Sequence, residues 1–233
     1  MCLPKQFVDS HQIVKYKFEK VFPSKKNKVM LVYTEDFLGK SNRFVLKYKN
    51  RGIQKENNIL IKLYRNGFNV PKVYYHNDQM LLMEYLPANT LLETILDFER
   101  KSYKVDDERV IKITYNFLAW LDQFYNFTGL TLQDCNLRNF LVSNNDIYGV
   151  DFEDCAKGKR EEDLARISAF ILLYSPEYTD WKVKFSNLFL DTATKEFNLD
   201  KDRLIFERSK QVKAIKRRRM KKSKAIINNE TQK

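Results

Sequence analysis

The sequence predicts an α+β fold of two lobes, and three observations carry that prediction. Short runs rich in Val, Tyr, Phe and Leu fill the first 85 residues. After Pro87 the apolar residues recur every three or four positions, as on helices. A tight polar set running from Asp134 to Asp151, flanked by apolar sequence, falls in the helical part. A small N-terminal antiparallel sheet with one helix would therefore precede a mainly helical C-terminal lobe, with a cleft where the polar set lies. The expected divisions are an N-lobe over 1–86, a C-lobe over 87–206 and a basic C-terminal tail over 207–233.

Taken in order, the strands are expected at Ile13–Phe18, Val29–Tyr33, Arg43–Tyr48, Lys72–His76 and Met80–Tyr85, with Asn77-Asp78 turning a hairpin between the last two. Between the third and fourth, Gln54–Arg65 carries Ile59, Leu60 and Leu63 at helical spacing, and Asn66-Gly67 is its stop signal. Thr90 followed by Glu93 is a capping box ahead of Leu91, Leu92, Ile95 and Leu96. Asp106-Asp107 opens a long helix to about Phe127, built on Val110, Ile113, Phe117, Leu121 and Phe124, and Gly129 ends it. A further helix over Glu161–Tyr174 places Leu164, Ile167 and Ile171 on one face, with acids at its N-terminus where the dipole favours them.

At 233 residues and 43% hydrophobic the chain can bury one ample core or two small ones. Only 6 Gly and 5 Pro exclude a fibrous or low-complexity chain. No apolar run approaches the roughly 18 residues that span a bilayer. The opening Met-Cys-Leu-Pro-Lys starts no signal-peptide pattern, so the expected location is cytoplasmic, with a peripheral position at the inner membrane face as an option. Cys2, Cys135 and Cys155 show no CxxC spacing, which excludes the usual zinc and redox motifs; Cys135 reads as a small buried thiol. Residues 207–233 hold 11 basic and 2 acidic side chains, so +9 of the total +12 lies in the tail and only +3 in the other 206 residues.

Chemistry concentrates in Asp134, Asn139 and Asp151, at successive offsets of five and twelve. An acid, an amide and a second acid within the apolar step Val150-Asp151-Phe152 are what phosphoryl transfer from ATP needs. One carboxylate receives the proton of the attacking hydroxyl, while the amide and the other carboxylate hold Mg²⁺ against the phosphates. A surface turn rich in Asn and Asp, followed by an edge strand, is the structural alternative.

Leu46-Lys47, Glu56, Met83-Glu84-Tyr85, Asp134–Asn139 and Asp151-Phe152, in that order, resemble the protein-kinase-like superfamily over roughly residues 12–175. The likeness is to its compact atypical members: lipopolysaccharide and sugar kinases, aminoglycoside phosphotransferases, and small kinases of the RIO and KEOPS-complex type. The resemblance implies a bilobal protein-kinase-like fold with ATP and Mg²⁺ as cofactors. It makes Lys47, fixed by Glu56, the α/β-phosphate contact; an exposed strand-end lysine and an exposed helix glutamate are the alternative. It assigns the adenine edge to the backbone of Glu84 and Leu86, the catalytic base to Asp134 and the metal to Asn139 and Asp151. Arg138 either supplies charge near the transferred phosphate or is simply solvated, and Glu153 is either a further metal-side carboxylate or a strand-end charge. Asp163 caps or braces the loop.

Several positions depart from the family pattern. Leu132 and Gln133 stand where relatives carry His followed by Arg or Gly, and Asn136 stands where protein-serine kinases carry Lys. Glu153 replaces the Gly that commonly follows Asp-Phe. The turn Phe22–Lys28 contains no glycine, so any nucleotide cover must use Ser24 and nearby lysines rather than closely approaching backbone amides. Only nine residues separate Asp151 from Glu161, too few for a long peptide-docking segment.

The expected function is ATP/Mg²⁺-dependent phosphoryl transfer to a hydroxyl, with a sugar or glycolipid acceptor preferred. An atypical serine protein kinase of RIO/KEOPS type and a catalytically weak pseudokinase scaffold are the alternatives. For the basic tail, Arg208–Lys224, three readings stand: a solvated helix, a contact with an anionic membrane surface or glycolipid head group, or a contact with RNA.

Overall fold

The computed structural model describes residues 2–24, 26–49 and 52–230, with side chains as far as Lys221. Lys25, in the turn expected to cover a nucleotide, and the last side chains of the basic tail lie outside the described residues. The chain forms two compact units: Met1–Ala88 with Tyr148–Glu153, and Asn89–Ile147 with Asp154–Lys233. The short stretch Tyr148–Glu153, expected within the C-lobe, thus packs with the first unit.

In the first unit, α1 (Lys5–Ser10) leads into β1 (Ile13–Phe22), β2 (Lys28–Asp36) and β3 (Ser41–Tyr48). Then come α2 (Gln54–Arg65), β4 (Val73–His76) and β5 (Met80–Glu84). The strands make one antiparallel sheet in the order β1-β2-β3-β5-β4. Alternation along β3 sends Phe44 and Leu46 to one face, where they pack with Met30, Val32, Leu82 and Phe7 of α1. Phe7 meets Phe44 edge-on at 5.2 Å between ring centroids. Burying such a ring contributes about 1.5–3 kcal/mol. The sequence does not announce α1, because six residues with Phe7 and Val8 as apolar signals are too short to display a period. β1 also outruns its expected end at Phe18, because bulges at Ile13/Lys15 and Phe18/Lys20 break the alternation while the pairing continues. α2 closes as expected at Asn66, with Gly67 at φ +77°.

In the second unit, β6 (Asn89–Thr90) precedes α3 (Leu91–Arg100), and the capping box is complete. The Glu93 N–H donates to Thr90 Oγ1 at 3.1 Å and the Thr90 N–H to Glu93 Oε2 at 2.7 Å. The long α4 (Glu108–Thr128) starts from Asp107 as N-cap and stops at Gly129, φ +65°. β7 (Phe140–Ser143) and β8 (Asp146–Gly149, whose last two residues belong to the first unit) follow, joined by Asn144 and Asn145 at φ +52° and +70°. Two left-handed residues in a two-residue loop are what a type I′ hairpin requires, and asparagine tolerates them. Three helices finish the chain: α5 (Arg160–Leu173), α6 (Asp180–Phe197) and α7 (Lys201–Glu230). α6 is not among the expected helices because its buried stripe is partly polar: Lys182 and Ser186 are as hidden as Phe185 and Phe189. Lys182 is satisfied by Glu99 at 2.9 Å and the Pro176 carbonyl at 2.8 Å. α7 begins before Glu207 and runs on without a break, with Val212 and Ile215 packed against Ala169, Phe170 and Leu173 of α5.

Candidate active site

The first unit gathers its charge around one lysine. The β3 alternation that buries Leu46 turns Lys47 to the opposite face, where only 4% of it is exposed. α2 brings Glu56 in its first turn, a position its dipole favours for an acid. Lys47 Nζ donates to Glu56 Oε2 and to Asp151 Oδ1, each at 2.7 Å. Burial works against the ammonium, yet the charges of Glu56 and Asp151 outweigh it and hold its pKa above the ordinary lysine value. Glu56 is pushed up by burial, with Lys47 holding it back in part.

Asp151 sits at φ +66°, a left-handed conformation that costs a non-glycine residue roughly 1–2 kcal/mol. Phe152, 1% exposed, anchors the bend. Carboxylate oxygens of Glu56, Asp151 and Glu153 all lie within 4.8 Å of one another, and the cation among them is the Lys47 ammonium. Of the three, Asp151 keeps 37% of its side chain exposed and is the one with room for a further hard cation such as Mg²⁺.

Glu153, expected either as a metal-side carboxylate or as a strand-end charge, is one of these three carboxylates and is closely tied to nearby bases. Asn27 Nδ2 donates to its Oε2 at 2.9 Å and Lys49 Nζ at 3.0 Å, while Lys26 Nζ lies 3.4 Å from Oε1 and Lys47 Nζ 3.6 Å from Oε2. Two hydrogen bonds and two further ammonium charges thus gather on this one carboxylate, three of the four contacts on Oε2. Burial alone would raise its pKa, but the Asn27 hydrogen bond and the charges of Lys47 and Lys49 bring it down to about 2. Ser24 caps its own turn by accepting the Asn27 N–H at 3.2 Å. At the other end of the sheet, the Glu84 N–H donates to the Lys72 carbonyl at 2.8 Å and the Leu86 carbonyl accepts from Ala88 at 2.9 Å. Two of the four backbone groups expected to meet adenine are thus engaged within the unit.

In the second unit, the loop before β7 is pinned from beneath. Gln133 takes φ +63° and the Asp134 N–H bonds back to the Leu132 carbonyl at 2.7 Å, a γ-turn closure that lifts Asp134 to the surface. Cys135 and Leu137 anchor the loop from inside, both 0% exposed. Burial and the neighbouring Asp163 push the Cys135 thiol well up, so it is a structural thiol. Asn139 Nδ2 donates to the Asp134 carbonyl at 3.2 Å, which stiffens the loop and leaves Oδ1 as the ligand atom. Arg138 is exposed and lies 5.6 Å from the centre of the Tyr174 ring.

Three residues that support this loop went unassigned or only half-assigned from sequence. Asp163, fully buried, accepts the Leu132 N–H at 2.6 Å, the Gln133 N–H at 3.3 Å and the Tyr125 hydroxyl at 3.4 Å. Arg166 donates to the Gln133 carbonyl and reaches Gln211 of α7 at 3.1 Å. The Tyr174 hydroxyl donates to Asn136 Oδ1 at 2.9 Å and accepts the Leu137 N–H at 3.0 Å. No spacing in the sequence connects Tyr174 to Asn136. The acid of the α5 first turn, by contrast, is a recognisable loop brace.

A sheet with a lysine clamped to a helix glutamate, and a helical unit presenting an aspartate loop, define a protein-kinase-like protein. The chain matches the RIO domain over residues 5–166, well over half its length, and it belongs to that atypical kinase-like family. The matched span takes in both charged clusters and ends within α5. No match was found among curated proteins. Among the described residues, no helix is long and apolar enough to cross a membrane.

Proposed function

We propose that the protein is an ATP-dependent phosphotransferase of the atypical serine-kinase type, moving the γ-phosphoryl group to a serine hydroxyl of a protein acceptor. The observation that carries this reading is the buried Lys47 ammonium held at 2.7 Å from both Glu56 and Asp151. A buried ion pair is poor value as a stabilising device, since apolar residues of the same volume do as well or better. A cluster of this kind is favoured where charge must be delivered to a ligand.

Lys47 is the point charge for the α- and β-phosphates, with Glu56 fixing its rotamer and Ser24 in the covering turn. Glu84 and Leu86 contribute the backbone groups for adenine. Asp134 receives the proton as the acceptor oxygen bonds to the γ-phosphorus and the bond to the bridging oxygen of ADP breaks. Asn139 keeps Asp134 in place through its carbonyl, and Arg138 supplies positive charge beside the loop. The family likeness assigns Mg²⁺ to Asp151 and Asn139, where it would neutralise charge building on the phosphates.

A second reading, with a sugar or glycolipid acceptor, is favoured by the path from Phe152 to α5. That path returns at once beneath the loop, Ala156 pairing with Thr131, and offers a peptide little platform. Labelled ATP distinguishes the readings when offered to a serine-containing protein mixture and to a glycan panel. ATP with Mg²⁺ should raise the unfolding temperature, since a ligand at ~100 times its dissociation constant adds about 2.7 kcal/mol. Asp134→Ala should keep that stabilisation and lose transfer by roughly 10²–10⁴-fold; Asp151→Asn should lose both. A wild-type chain indifferent to ATP, or an Asp134→Ala chain with full turnover, refutes the assignment.

A further inference from the structure

We propose that Glu153 is the latch of a side-chain-built phosphate cover, holding Lys26 and Lys49 so that they bind the polyphosphate of ATP beside Lys47. This rests on the phosphotransferase reading and deepens it.

The inference starts from a missing residue type. With no glycine between Phe22 and Lys28, side chains keep the turn's amides away from a phosphate, so contact must come from the side chains themselves. The sheet supplies two at once. Lys47 near the end of β3 and Lys49 just past it are two positions apart, and the ammonium groups of both lie against Glu153. The turn supplies the third, Lys26, together with Asn27. All three ammonium groups lie within 3.6 Å of the same carboxylate, close enough together for one polyphosphate to bridge them.

Glu153 suits a latch. Its side chain is 7% exposed, whereas those of Lys49 and Lys26 are 24% and 56% exposed. Each ammonium has three N–H donors. Lys49 uses one on Glu153 at 3.0 Å and Lys26 lies 3.4 Å from the same carboxylate, which leaves donors on both for a phosphate, while Lys47 is held by Glu56 and Asp151. Without the carboxylate, Lys26 and Lys49 would lose the charge they share and the turn would lose its tether. Glycine, the usual residue after Asp-Phe, offers no such tether. The Glu at 153 and the glycine-free turn thus read as one device, in which a charged anchor replaces backbone permissiveness.

The test is titration of ATP and of adenosine, at saturating Mg²⁺, into the full chain and its Glu153→Gln, Lys26→Ala and Lys49→Ala variants. Each variant should weaken ATP about tenfold, the size of one charge-assisted hydrogen bond, and leave adenosine unchanged. Glu153→Gln with Lys26→Ala should be no worse than Glu153→Gln alone, because Lys26 acts through the latch. The half-saturating Mg²⁺ concentration at fixed ATP should not move. Equal loss of ATP and adenosine, additive losses in the double variant, or a shift confined to Mg²⁺ demand would each overturn the latch. Lys26 is exposed enough that its variant folds, so a damaged Glu153→Gln chain does not blunt the test. If the wild-type chain binds ATP and all three variants match it, the latch fails alone. If the wild type binds none, the phosphotransferase reading fails with it.

Discussion

Replacing Lys47 by methionine removes the one cation that Glu56 and Asp151 share, and the consequence can be worked from distances. The variant leaves three carboxylates within 4.8 Å of one another. At an effective dielectric of about 20, two charges at that separation repel by roughly 3.5 kcal/mol. Removing one member of a buried pair costs about 3–5 kcal/mol for the same reason. Glu56→Gln is milder, because Lys47 keeps Asp151 at 2.7 Å and has Glu153 at 3.6 Å; about half that cost is expected. The pH dependence follows from Glu56, whose folded pKa is already pushed up to about 7 by burial. Losing Lys47 raises it further. A carboxyl whose folded pKa exceeds its unfolded value binds more protons when folded, so the fold weakens as pH rises through that interval. The Lys47→Met deficit should therefore be large at pH 8 and shrink towards pH 5 as Glu56 takes up a proton. Urea unfolding of wild type, Lys47→Met and Glu56→Gln at the two pH values measures it. A Lys47→Met chain at least as stable as Glu56→Gln at pH 8, or a deficit that grows on acidification, refutes the reasoning.

Tyr174→Phe removes the hydroxyl that joins Asn136 to the Leu137 N–H; it should cost about 1–2 kcal/mol and lower kcat while leaving the ATP dissociation constant unchanged, by unfolding and steady-state kinetics. Gly158→Ala would set a Cβ 2.5 Å from Thr131 Oγ1 and 2.9 Å from Gln133 Nε2, so it should lower kcat without touching ATP affinity. Along α7, Lys213, Arg217, Arg218 and Lys221 are exposed and have no ion pair among the described residues. Reversing those four charges should leave stability within about 0.5 kcal/mol and abolish any salt-dependent association with anionic vesicles or RNA, measured by co-sedimentation. Deleting residues 208–233 should instead destabilise the second unit, because it strips Val212, Ile215 and Gln211 from α5.

Much of the fold was legible because its signals are local. The β3 alternation, the Gln54–Arg65 period, the Thr90/Glu93 box and the Gly129 stop each depend on residues a few positions apart. α6 was not, because its buried face carries Lys182, whose partners Glu99 and Pro176 come from elsewhere in the chain. The site divides the same way. Glu56 was readable as the one acid between Lys47 and Asp78, and the polar loop by its spacing. Lys49 could have been found too, since it lies two positions after Lys47, just beyond the end of β3. Asn27 and Tyr174 could not, because each becomes meaningful only when the chain returns, 126 and 38 residues away, to Glu153 and Asn136.

The stretch after Asp151 is short, and its backbone is engaged where it returns to the Asp134 loop. Thr131 and Ala156 exchange both backbone hydrogen bonds, at 2.8 and 3.0 Å, and Thr131 Oγ1 also donates to the Ala156 carbonyl at 2.9 Å. Gln133 Nε2 in turn donates to Thr131 Oγ1 at 2.7 Å, and Asp163 and Arg166 hold the Gln133 backbone from the next helix. The stretch is therefore the floor of the Asp134 loop. A regulated kinase needs a long, movable segment at this point so that order can be imposed by modification. Here the segment is spent on supporting a residue held at φ +63°, a conformation that persists only when its surroundings over-determine it. The Asp134 loop is thereby braced in one conformation, and on the phosphotransferase reading we expect control to act through ligand or acceptor rather than by rearranging that segment.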